Sequence, residues 1–162
     1  MRAFALPLLA AALLATSAQG ATYRLGGLEV AQPWSRPAAA GTNGAGFMTV
    51  TNHGKTADTL KSVESPSAEK VEMHKTSMAN GIMSMKRLDA GLALSPGESV
   101  SFAPGGYHLM LVRLTKALKT GDVVPATLTF ASGARIKVEL PVRASAEAGE
   151  MAPMDHMEHM HH

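Results

Sequence analysis

Between residues 28 and 143 the apolar positions fall in short runs separated by turn-forming residues, not at helical spacing. Residues 47–51 (Phe-Met-Thr-Val-Thr) are aromatic and β-branched and stop at Asn52-His53-Gly54. Residues 71–78 and 82–88 flank Asn80-Gly81, the dipeptide most favoured in a two-residue hairpin loop. Ser95-Pro96-Gly97 and Pro104-Gly105-Gly106 are turns by composition. A strongly apolar run covers 107–114, and Thr120-Gly121-Asp122 introduces another over 123–130. Ser132-Gly133 then leads into 135–142, where Ile136, Val138 and Leu140 alternate with charges, the period of a half-buried strand. Short strands at regular spacing, with no amphipathic helix among them, predict an all-β sandwich or barrel.

The two ends differ from this middle. Arg2 precedes an almost unbroken apolar run over 3–15, and Ala18-Gln19-Gly20 supplies the small residues read by a signal peptidase. That order predicts a signal peptide over 1–20 and export of the mature chain. The run is shorter than the roughly 20 residues needed to span a bilayer, so no stable membrane insertion is expected. Residues 144–162 contain no aliphatic or aromatic side chain large enough to anchor them in a core. They predict a disordered Met/His-rich tail after a single domain over 21–143.

Composition narrows the function. Cysteine is absent, which removes disulfides, thiolate metal sites, a lipid attachment point and the blue-copper electron carriers, whose metal needs a Cys ligand. Without Arg2 the chain holds 14 basic and 13 acidic side chains, and no basic cluster is interleaved with aromatics. Neither nucleic acid nor an anionic membrane is therefore an expected partner. No Ser-His-Asp arrangement and no motif-placed carboxylate pair suggests an enzyme. The unusual counts are 11 Met and 7 His, against 4 Phe, 2 Tyr and 1 Trp.

Two pairs of these residues share strand faces. With Asn80-Gly81 as the loop, His74 falls opposite Arg87 and Met85 opposite Thr76. His74 and Met85 then become diagonal neighbours on one face, about 7–8 Å apart at the backbone. In His108-Leu109-Met110 the first and third side chains point together, and Tyr107, Leu109 and Leu111 point to the other side. Two imidazoles and two thioethers around one point would suit copper(I), a soft closed-shell ion, better than zinc, calcium or magnesium. The plainer reading makes the methionines core residues, which is the expectation for Met48, Met73 and Met78, and makes His53 a surface turn residue. Met73 beside His74 and Met83 beside Met85 are placed on the opposite face as lesser candidates.

At these positions the sequence resembles the periplasmic copper chaperones of the PCu(A)C family. His74 is followed after ten residues by Met85, and after twenty-two more by His108-Leu109-Met110. Gln32-Pro33-Trp34, Thr51-Asn52-His53-Gly54, Ser65-Pro66, residues 104–111, Gly121-Asp122, Leu128-Thr129-Phe130 and Gly133 extend the likeness over 28–143. The resemblance implies a cupredoxin-like sandwich with a copper(I) site at His74, Met85, His108 and Met110. It also implies delivery of copper to cytochrome c oxidase, at its CuA centre, with subunit II or another assembly chaperone as acceptor. The tail, with Met151, Met154, His156, Met157, His159, Met160, His161 and His162, predicts a second, looser site for copper(I) or copper(II). It leaves copper buffering for resistance as the alternative function.

Overall fold

The computed structural model describes residues 20–144, and all of the tail's His and Met lie outside the described residues, as does the expected signal segment up to residue 19. The described chain is all β. Its strands are β1 (Thr22–Leu25), β2 (Leu28–Ser35), β3 (Gly44–Asn52), β4 (Asp58–Glu64), β5 (Ala68–Ala79), β6 (Ile82–Arg87), β7 (Leu92–Leu94), β8 (Ser99–Phe102), β9 (Tyr107–Leu114), β10 (Val123–Phe130) and β11 (Arg135–Pro141). Seven form one sheet in the order β1-β2-β3-β8-β9-β5-β6, and four form the other in the order β11-β10-β4-β7.

The core lies between the sheets. Val30 and Val50, with Leu109 and Leu111, face inward from the larger sheet, and Leu60, Val124, Leu128 and Leu140 from the smaller. Period-two alternation drives this sorting, because successive side chains leave a strand on opposite sides. Gly46 allows β3 and β9 to close on the second sheet. A Cβ there would stand 3.0 Å from a methyl of Leu140 and 3.4 Å from Leu109. Asn52 is buried but satisfied: its amide donates to the carbonyls of Thr56 (2.9 Å) and Leu94 (3.1 Å), and its oxygen accepts from the Gly54 amide (2.9 Å). It ties the end of β3 to β7 of the other sheet.

Met48 and Met73 are core residues, as expected. Met78 is not; it is 68% exposed. The reason is topological. β9 begins at Tyr107, opposite Lys75, so the last four residues of β5 and the edge strand β6 run past their neighbour. β6 is exposed along its whole length. His53 is also where the sequence put it, on the surface after β3.

Leu109, between His108 and Met110, anchors the middle of β9 in the core. Leu109→Ala should lower unfolding stability by about 2–5 kcal/mol, the usual cost of a leucine-sized cavity. Denaturant unfolding monitored by circular dichroism measures it, and a loss below about 1 kcal/mol would contradict this packing.

Candidate metal site

Three adjacent strands at one edge of the larger sheet, β9-β5-β6, carry the candidate donors. In the β5–β9 register His74 stands opposite His108, and Glu72 opposite Met110. In the β5–β6 register His74 stands opposite Arg87, and Thr76 opposite Met85. Directly opposed residues share a face, as do residues two apart on one strand. His74, His108, Met85 and Met110 are therefore on one face, the outer one, with Leu109 and Met73 on the inner. Asn80 and Gly81 hold positive φ values of 52° and 75°, the backbone of the tight turn that the Asn-Gly signal predicts.

The two imidazoles lie 5.5 Å apart between ring centroids, tilted by 38°. His74 is nearly buried, whereas Met85 is 53% exposed. The face is thus closed behind His74 and open along the hairpin. His74 Nε2 lies 2.8 Å from Glu72 Oε2, and in the neutral ring the tautomer that donates there has Nδ1 free of a proton. That Nδ1 is buried and has no hydrogen-bond partner. A metal-binding imidazole commonly gives its other N–H to a carboxylate in this way, which fixes the tautomer and raises ligand basicity. His108 Nδ1–H points at the Gly106 carbonyl at 3.4 Å, leaving Nε2 for a ligand. The Met110 sulfur lies 3.8 Å from the Asn43 side-chain amide, whose oxygen accepts from the Arg113 backbone N–H at 3.0 Å.

Electrostatics favour an ion that binds neutral donors. Glu72 contacts Lys70 Nζ at 2.6 Å and Arg87 Nη1 at 3.4 Å as well as His74. The hydrogen bonds from Lys70 and His74 hold its carboxyl down at about 2, against an ordinary 4.5. Glu72 therefore stays charged but is already matched by cations. Burial pushes the His108 imidazole below its ordinary value, against the opposing Gly106 carbonyl, and the nearby His74 adds to the lowering. Its neutral, ligating form consequently persists to lower pH. Among the described residues no three His, Asp or Glu side chains group to hold a metal ion.

The four predicted donors are brought to one face. Of the lesser candidates, Met73 points into the core as expected, but Met83 does not share its side. It stands opposite Met78 and two residues from Met85, hence on the donor face. Strand alternation, applied to Met83 and Met85 together, requires this. Sequence reasoning also overlooked Glu72, which the same alternation places beside His74, and Asn43, which only the β3–β9 packing brings to Met110.

A two-sheet β-sandwich with a face of soft and borderline donors is the class this chain falls in. The family described as "Putative lipoprotein LpqE-like" matches residues 28–142, and the chain belongs to it. Among curated relatives, "Putative lipoprotein Lxx21020" of Leifsonia xyli subsp. xyli is 31% identical over 137 residues, 85% of this chain and 82% of that protein. Solved structures carry the same fold. The copper-bound PCuAC domain from PmoF2 is 29% identical with a TM-score of 0.64, over 76% of this chain and 98% of that one. The solution structure of CuI-DR1885 from Deinococcus radiodurans is 26% identical with a TM-score of 0.53, over 69% of this chain and 76% of that one. The PCu(A)C resemblance drawn from the spaced His and Met thus holds at the level of family and fold.

Two titrations check the site's electrostatics in the metal-free protein. By NMR, the His108 ring should titrate below the ordinary 6.5, and the Glu72 carboxyl at about 2. Because Glu72 is depressed from 4.5, its contribution to stability is complete above that pH and is lost as pH falls toward about 2. A His108 midpoint at or above 6.5 would contradict the desolvation of its ring.

Proposed function

We propose that the protein is a non-catalytic copper(I) carrier that holds the ion between His74, Met85, His108 and Met110 and passes it to an acceptor. One observation carries the reading: His74 and His108 are directly opposed, with Met85 and Met110 on the same face. Two imidazoles and two thioethers match the preferences of copper(I), which accepts both donors without a strict geometry. The likeness to the copper-bound PmoF2 domain and to CuI-DR1885 supports the same cargo. Because all four donors bind as neutral groups, the ion keeps its charge, and exchange of one ligand at a time with an incoming donor is easy. The half-exposed Met85 is where that exchange would begin.

The address and acceptor follow from the resemblance and the relatives. The apolar segment after Arg2 and the lipoprotein name of the Leifsonia relative support export to the cell envelope, which we assign to the periplasm. The PCu(A)C resemblance supports delivery to cytochrome c oxidase, through subunit II or an assembly chaperone serving its CuA centre. The density of His and Met over 151–162 favours a second reading, copper buffering for resistance, with the tail as main binder. Removing residues 150–162 separates the two. A carrier keeps one tight copper(I) equivalent, and a buffer loses most of its capacity.

Competition with a copper(I) chelator tests the ligands. In protein ending at residue 149, combined alanine substitution of His74, Met85, His108 and Met110 should weaken copper(I) binding at least about 100-fold, ~2.8 kcal/mol. Unchanged affinity would remove the reading. Glu72→Ala should cost about 10–100-fold through loss of the His74 hydrogen bond, as the removal of outer-shell partners usually does. An unaltered affinity in that variant would deny Glu72 its orienting role.

A further inference from the structure

Beyond the paired imidazoles, the β5–β6 hairpin runs past β9 and offers four more positions on the donor face: Thr76, Met78, Met83 and Met85. Three of the four are methionine, 68%, 66% and 53% exposed. Packing does not explain them, because among the described residues nothing covers this face. Strand propensity does not either, since it favours β-branched and aromatic residues. The reverse face of the same hairpin carries Lys75, Ser77, Ser84 and Lys86, with Ala79 and Ile82 at the turn. In this projecting part of the hairpin, thioethers are thus confined to the side that holds His74 and His108.

Their spacing suits a single ion. Met78 and Met83 are directly opposed, which puts their Cβ atoms about 4.5–5.5 Å apart. Met85 lies two residues along the strand from Met83, about 6.6–6.8 Å, and diagonal to Met78 at about 7–8 Å. The side chains are long and unbranched with flexible torsions, so three sulfurs from those origins can meet at one point. The ribbon beneath them is pinned by the Asn80-Gly81 turn and by the Ser77–Ser84 hydroxyl pair at 3.0 Å on the reverse face. No carboxylate or imidazole occupies these four positions, and a thioether-only set selects copper(I) over copper(II) and zinc.

We propose that Met78, Met83 and Met85 form a second copper(I) station on the hairpin. It shares Met85 with the four-ligand site and uses neither imidazole. An ion bound there reaches His74 and His108 by keeping Met85 while it exchanges Met78 and Met83 for the two rings. The hairpin becomes the route by which copper(I) enters and leaves the sheet.

The test uses the full-length protein labelled with carbon-13 at the methionine methyl groups. Copper(I) is added anaerobically as its acetonitrile complex, and the methyl signals are assigned from single Met→Leu substitutions. The Met78, Met83 and Met85 methyls should shift together, and those of Met78 and Met83 should still respond in the His74→Ala/His108→Ala variant. Adding Met78→Leu/Met83→Leu, substitutions at exposed positions, to the His74→Ala/His108→Ala variant should abolish the remaining response of the Met85 methyl. Should the Met78 and Met83 methyls stay fixed at a copper(I) excess that shifts Met110, the station is overturned and the four-ligand site stands. If they respond while Met110 does not, the station stands and the four-ligand reading falls.

Discussion

The hydrogen-bonded register of β5 with its two neighbours is the constraint on which the donor face depends. His74 sits at the crossing, opposite His108 on one side and Arg87 on the other. If β5 slipped by one residue, all of its side chains would change face, sending His74 inward and Met73 outward. Burial of Met73 opposes the slip from within the core. The Asn80-Gly81 turn and the Thr76 N–H bond to the Gly106 carbonyl, at 3.0 Å, oppose it from the outside. The four candidate donors, distant in the chain, are consequently positioned by the sheet itself, not by loops.

Holding and releasing an ion make opposite demands, and the face divides them. At the β9 side His74 is nearly buried and oriented by Glu72, while Asn43 steadies Met110. At the hairpin side the methionines are exposed, on the edge strand β6 and the projecting end of β5, with nothing among the described residues stacked over them. Glu72 brings a negative charge beneath the imidazole, but Lys70 and Arg87 already offset it, so it orients a ligand without adding a strong electrostatic trap. An ion here would be bound firmly from one side and remain within reach of an incoming donor from the other.

Much of this was legible in the sequence because it follows from period two. The runs over 107–114 and 123–130 coincide with β9 and β10, and the hairpin register follows from the Asn-Gly turn alone. The strands that escaped notice break the alternation or are too short to display it. In β4, Leu60 and Val63 both point inward although three residues apart, because the pairing with β10 shifts between Thr129 and Phe130. β1 has four residues, mostly exposed, and β7 has three. Hydrophobicity alone predicts a core place for Met78, because it does not tell where a neighbouring strand stops. Met83 is a different case: the period that puts His108 and Met110 together also puts Met83 beside Met85.

Copper(I) X-ray absorption on protein ending at residue 143, loaded with one equivalent, tests the convergence of the four donors most directly. The account predicts a mixed first shell in which two nitrogen and two sulfur neighbours surround the metal. A shell of nitrogen and oxygen alone, or of sulfur without nitrogen, would contradict it.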